Sequence, residues 1–175
     1  MKPSEDLLWD DALQGLERGD FSRLEPLFDN NPSRDGEQCR IVEWYEQGYF
    51  DNEPKAMAEA LACACFLGRT SVVEFLLNQG VDPAAGIGTG LAGFHWAANR
   101  GNLETVKLLI ERKAPLEQEN MYGGTVLGGA LWAAFNEPKP DHLPIIEALI
   151  AAGAKVEPDW NQAIDELRQR DGAKG

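Results

Sequence analysis

The chain has 175 residues, 43% of them hydrophobic and 26% charged, a globular composition that argues against wholesale disorder. Its net charge is −13, and residues 1–55 hold 14 acidic against 6 basic side chains, so −8 of that charge lies at the N-terminal end. This balance disfavours nucleic acid, whose binding needs a basic footprint to displace counterions, and leaves a basic protein partner open.

No apolar run approaches the ~18 residues of a membrane span, and Met1 to Asp6 is acidic where a signal peptide needs a basic start. The expected location is therefore the cytoplasm, with no membrane partner. Cys39, Cys63 and Cys65 are odd in number and suggest no disulfide framework. Cys63 and Cys65 stand two apart on a predicted helix, so their side chains diverge and suit small core positions better than a metal.

In chain order, Leu7 to Arg18 reads as a helix ended by Gly19. Asp20 is placed to cap a second helix with Phe21, Leu24, Leu27 and Phe28 inward and Pro26 inside it, stopped at Asn30-Asn31-Pro32-Ser33. Residues 5–32 thus read as a degenerate N-terminal unit or cap, and 34–53 as an inserted helix and loop whose Trp44, Tyr45, Tyr49 and Phe50 seal the joint or face a partner. Pro54 opens a helix reaching about Phe66, and Gly68-Arg69-Thr70 turns the chain. Ser71 to Asn78 returns it and Gly80 closes it. The same events recur at Leu91–Arg100 and Leu103–Arg112, then at Val126–Phe135 and Leu143–Ala151. Leu61, Phe94 and Leu127 are spaced by 33 residues, the signature of a solenoid. The expected units are 54–86, 87–119 and 120–156. Seven extra residues around Asn136 to Asp141 form an exposed loop, and a helix over 157–170 caps the far end with Trp160, Ala163, Ile164 and Leu167 inward.

The residues Ala92-Gly93-Phe94-His95-Trp96-Ala97-Ala98, followed by Gly101-Asn102-Leu103, resemble the T-P-L-H-x-A pattern of the ankyrin repeat. Gly80-Val81-Asp82-Pro83 and Thr125-Val126-Leu127 match it in phase, whereas Ala62 and Gly128 stand where that family's histidine would be. The resemblance implies an all-α ankyrin-repeat solenoid of stacked helix-turn-helix units with short hairpin-like turns. It also implies that His95 fixes a turn by hydrogen bonding to backbone, and that the chain binds protein partners through variable surface positions.

Chemistry is hard to find. His142 is expected at an exposed helix start with no partner, and Trp96 in the core. The run Gly86-Ile87-Gly88-Thr89-Gly90 lacks the strand and the Lys-Ser/Thr of a phosphate loop, and turn duty explains it. No catalytic arrangement, metal site or cofactor site is defended by spacing, so no enzyme and no cofactor is expected. In ankyrin-like stacks the concave surface consists of hairpin tips and the solvent side of each first helix. Transferred by the period, it comprises Phe66, Leu67, Leu91, Asn99, Arg100, Met121, Tyr122 and Trp132, several of them large and apolar, as at interaction surfaces. The expected function is an adaptor that binds a protein through this face. The alternative is a small-molecule or enzymatic site in the cleft between the 34–53 insertion and the first full unit.

Overall fold

The computed structural model describes residues 5–29 and 38–174, and these contain helices and turns but no strand. The helices are α1 (Glu5–Arg18), α2 (Glu25–Phe28), α3 (Arg40–Glu46), α4 (Pro54–Leu67), α5 (Thr70–Asn78), α6 (Gly93–Arg100), α7 (Leu103–Glu111), α8 (Val126–Asn136), α9 (His142–Ala151) and α10 (Asn161–Gly172). Single 3-10 turns precede α2, at Phe21–Leu24, and α10, at Pro158–Trp160. α4, α6 and α8 lie side by side as an inner layer, and α5, α7 and α9 form an outer one. α1 packs on α4 at one end, and α10 closes the other against α8 and α9. Each unit buries its apolar faces chiefly against its neighbours, as expected of a solenoid. Leu61, Phe94 and Leu127 repeat one fully buried position, and Cys65 and Ala98 repeat another.

Successive units are also stapled through their backbone ends. Gly68 ends α4 in the left-handed region (φ 68°), and a Cβ there would lie 2.9 Å from the side-chain amide of Asn102. That amide donates to the carbonyls of Cys65 (2.8 Å) and Phe66 (3.1 Å), satisfying the last turn of α4 from the next unit. Gly68 is needed twice, for its backbone and for the approach of Asn102.

The N-terminal end departs from a simple helical hairpin. After Gly19 the chain makes a 3-10 turn and then a single α-turn, with Phe21, Leu24 and Phe28 buried and no side-chain cap from Asp20. Pro26 falls in the first turn of α2, where its missing N–H costs nothing and where it restarts the helix rather than extending one. The stop expected at Asn30 to Ser33 and the start of the 34–53 insertion lie outside the described residues. From residue 38 on, that segment holds α3, whose Trp44 is fully buried. Trp44, Tyr49 and Phe50 surround Trp9 of α1 at ring separations of 5.2, 5.3 and 4.8 Å. Tyr45 packs edge-on against Phe75 of α5 (5.3 Å), and its hydroxyl meets Gln79 Oε1 at 3.3 Å.

Two expectations need correcting. His142 is not exposed: only 2% of it is accessible, and both ring nitrogens are paired. The seven-residue insertion folds back on the end of α6, where a Cβ on Gly101 would touch Lys139 (2.8 Å), and this carries His142 inward. Trp96 is half-buried rather than core: its ring lies on the inner layer against Phe66 (5.2 Å) and Phe21 (6.0 Å).

Candidate functional site

Neighbouring hairpin tips are tied together. Met121 N–H donates to Gly90 O (2.8 Å), and Gln118 Nε2 donates to Ala84 O (2.8 Å). His95 holds the base of the second tip: its Nε2 lies 2.9 Å from Gln118 O and 3.2 Å from Gly124 O. Both partners are carbonyls, so Nε2 carries the proton. Nδ1 is buried without a partner, and burial lowers the imidazole's pKa. Within the tip, Asn120 Oδ1 accepts from Tyr122 N–H (2.9 Å) and Gly124 N–H (3.0 Å), which fixes the turn that carries Tyr122 outward.

The residues expected to form the concave surface divide into two groups. Tyr122, Met121 and Trp132 are 80%, 66% and 58% exposed, and Ile87 on the preceding tip is 56% exposed. The tips at 84–90 and 118–125, together with α8, carry one charged side chain, Glu119. The second group is occupied within the chain. Phe66 is half-buried beneath Phe21 (5.7 Å between ring centroids) and Trp96 (5.2 Å), and the Arg100 guanidinium lies 4.6 Å above its ring. Its cover thus includes Phe21 from the segment after α1. Asn99, with its side-chain amide nitrogen turned to donate, bridges His95 O (3.2 Å) and Gly129 O (3.1 Å), while its backbone carbonyl accepts from His142 Nε2 at 2.9 Å. Leu67 and Leu91 are half-buried.

The 33-residue register explains the split. Phe66, Asn99 and Trp132 are equivalent, and the first two lean on the next inner helix, at Trp96 and Gly129. Trp132 has α10 beyond it and remains 58% exposed. The aromatic side chains of the alternative cleft are spent otherwise, Trp44 and Phe50 in the core and Tyr45 on Phe75.

Two residues escaped the sequence reading. Ile87 gives no signal of its own, because its glycine neighbours read as a plain turn. Glu59 stands where Ala92 and Thr125 stand one and two periods on, and an acid at that register was the available signal. It is only 6% exposed; Oε1 accepts Gly88 N–H at 2.8 Å, which anchors the first tip, and Oε2 is buried without a partner. Burial pushes its carboxyl above the ordinary range, against the opposing pull of the Gly88 hydrogen bond. A raised folded pKa means that the stabilising contribution belongs to the protonated form and is lost as pH rises through the folded value. Glu59→Gln keeps the acceptor and removes the buried charge. At pH 7.5 it should therefore stabilise the protein by about 1 kcal/mol, a gain that shrinks near pH 4.5, the group's ordinary value. Thermal melts at the two pH values check this; a destabilised variant at pH 7.5 would contradict it.

Among the described residues no group of three or more His, Cys, Asp or Glu side chains could hold a metal, and no helix is long and apolar enough to cross a membrane. Burial pushes the Cys63 and Cys65 thiols well above the ordinary value, which makes them poor nucleophiles. No curated protein matches the chain. A family model described as ankyrin repeats, in three copies, matches residues 60–159, a span of 100 of the 175 residues. That span begins inside α4 and ends inside the turn before α10, so it covers the second half of α4 and all of α5 to α9. The chain belongs to the ankyrin repeat family.

Proposed function

We propose that this chain is a non-enzymatic adaptor that binds a protein partner through its concave face, with Tyr122, Met121, Trp132 and Ile87 as the docking surface. Ankyrin repeats are in general protein-interaction modules. The observation that carries the reading is the exposure of these four large apolar side chains on tied hairpin tips and one inner helix. Rigidly held aromatic side chains lose little entropy on docking and dominate interface energetics. Arg100, Asn99, Phe66, Leu67 and Leu91 act behind them, shaping the face rather than contacting the partner first. With Glu119 as the sole charge on the tips and α8, apolar contact outweighs ionic contact in recognition, and a basic partner is favoured only by the long-range field of the −13 charge. Cytoplasmic residence, which the three free thiols suit, belongs to the same proposal.

We also infer the unit boundaries from packing. α3 meets α5 through Tyr45, which packs on Phe75 and reaches Gln79, and Gly48, with φ 78°, precedes Gly80, with φ 89°, by 32 residues. On this reading α1 and α3 form the first unit, and the inserted stretch is the one between them, 20–39, rather than 34–53.

The test is affinity capture from the native host with wild-type protein and a Tyr122→Ala, Trp132→Ala double variant. Both sites are solvent-facing, so helical CD and melting temperature should stay within a degree or two of wild type. Capture of the partner should fall by at least about a hundredfold if both are hot-spot residues. Equal recovery by a folded double variant would overturn the proposal.

A further inference from the structure

We propose that the aromatic seat filled by Phe21 is a second docking subsite of the concave face. Its ligand is a partner segment with an aromatic side chain followed by carboxylates, which displaces residues 19–29 of this chain. The inference rests on the concave face being the binding surface.

Units of a linear stack touch only their neighbours. Residues 19–21 reach further. Gly19 lies against Thr89 of the first hairpin tip, where a Cβ would come within 2.9 Å, and Phe21 touches Trp96 of α6 (6.0 Å) as well as Phe66 of α4. The segment therefore runs across the concave side, as a bound peptide would.

The chain's own segment fills this seat imperfectly. Trp96 Nε1 and Thr89 Oγ1 are both buried without a hydrogen-bond partner, and both belong to residues that the segment touches. An unmet donor at Trp96 rewards any occupant that brings an acceptor to it. At the other end Arg69 holds Glu25 Oε1 (2.8 Å) and Asp29 Oδ1 (2.7 Å). Both carboxylates are about half exposed, so this ionic latch is weak and exchangeable, and the burial of Phe21, Leu24 and Phe28 is the main hold on the segment. The seat thus selects an aromatic ring between Phe66 and Trp96, an acceptor for the indole N–H, and carboxylates for Arg69. Arg69 and Arg100 supply local positive charge that the −13 of the whole chain opposes at long range, so binding should be stronger in moderate salt than in its absence.

The probe is a fluorescein-labelled peptide copying residues 17–29, titrated into full-length protein and read by polarisation. An occupied seat lowers apparent affinity by the fraction of molecules in which it is open. Phe21→Ala opens it and should bind the peptide about tenfold or more tighter than wild type. The Glu25→Ala, Asp29→Ala variant weakens the latch at exposed positions without touching the core, and should show a smaller gain in the same direction. A peptide carrying alanine in place of Phe21 should not bind either variant. Binding should survive Tyr122→Ala, Trp132→Ala, which separates this subsite from the surface proposed above. If Phe21→Ala does not fold, the Glu25→Ala, Asp29→Ala variant decides. Absence of peptide binding to that variant, or binding equal to wild type, overturns the subsite and leaves the Tyr122 and Trp132 surface standing.

Discussion

Replacing Trp44 by alanine is expected to split unfolding into two steps, with α1, α2 and α3 melting well before α4 to α10. Trp44 is fully buried and packs edge-on against Trp9 at 5.2 Å and tilted against Tyr49 at 6.0 Å, with the Arg40 guanidinium 5.9 Å from its ring centroid. Truncating a buried tryptophan costs about 3–5 kcal/mol in lost transfer energy and unfilled volume. The paired aromatic geometry adds about 0.5–1.5 kcal/mol per partner beyond area alone. Against these losses, the variant gains a little, because Trp44 Nε1 is a buried donor with no partner and disappears with the ring. A net loss of about 4–6 kcal/mol is a large share of the 5–15 kcal/mol that holds a typical domain together.

The loss is local because a solenoid is stabilised unit by unit. Helices α4 to α10 supply the greater part of the buried cluster, from Ala56 to Leu167, while the ring contacts of Trp44 are to Trp9 and Tyr49 at its N-terminal end. Urea titration followed by far-UV CD should show two transitions in the variant. Hydrogen exchange should show Arg40–Glu46 losing protection while Val126–Ala134 keeps it. A single, uniformly shifted transition with all amides exchanging together would show instead that the stack unfolds as one unit. It would also weaken the reading of α1 and α3 as a terminal unit of the stack.

How much of this was legible in the sequence depends on whether a feature repeats. Leu61, Phe94 and Leu127 recur because each unit meets its neighbour in the same way, so layer, register and tips follow from the period. Tyr122 and Trp132 were identified as outward by that same transfer, and they are exposed. Features that happen once leave no such trace. Phe21 crossing to Trp96 depends on where a turn carries a non-repeating segment, and the spacing of Phe21 in its own helix shows only that it is buried. His142 read as exposed because it follows a loop rich in proline and charge. Whether such a loop stands away or folds back depends on what it meets, here Gly101, whose missing side chain leaves room for Lys139. Glu59 was hidden for a related reason: α4 begins earlier in the register than α6 and α8, so the same position falls inside a helix instead of at its cap.

Acidification should destabilise the protein, and the loss should trace to His95 and His142. Burial lowers the folded pKa of both below the ordinary 6.5. For a group whose folded value is depressed, the stabilising contribution is fully present above the unfolded value and is lost as pH falls through the folded one. The window therefore opens near pH 6.5 and extends downward. Each group can contribute up to about 1.4 kcal/mol per pH unit within it. The hydrogen bonds show why protonation is resisted. His142 Nδ1 accepts Lys139 N–H at 3.0 Å, and a proton on that atom would abolish the bond and leave two donors face to face. Protonating His95 would place a second N–H in a buried site that offers no acceptor. The damage would fall on the proposed docking surface, since His95 ties down the tip that carries Met121 and Tyr122, and His142 bonds Asn99 on the inner face. Glu59 works in the opposite sense, gaining stability as it protonates, so the measurement is clearest in the Glu59→Gln background. In that background, urea midpoints at pH 7.5, 6.5, 5.5 and 5.0 should fall steadily below 6.5. Adding His142→Gln, whose amide can both accept from Lys139 and donate to Asn99, should flatten the slope by about half. A slope that His142→Gln leaves unchanged would assign the acid sensitivity to carboxylates elsewhere in the stack.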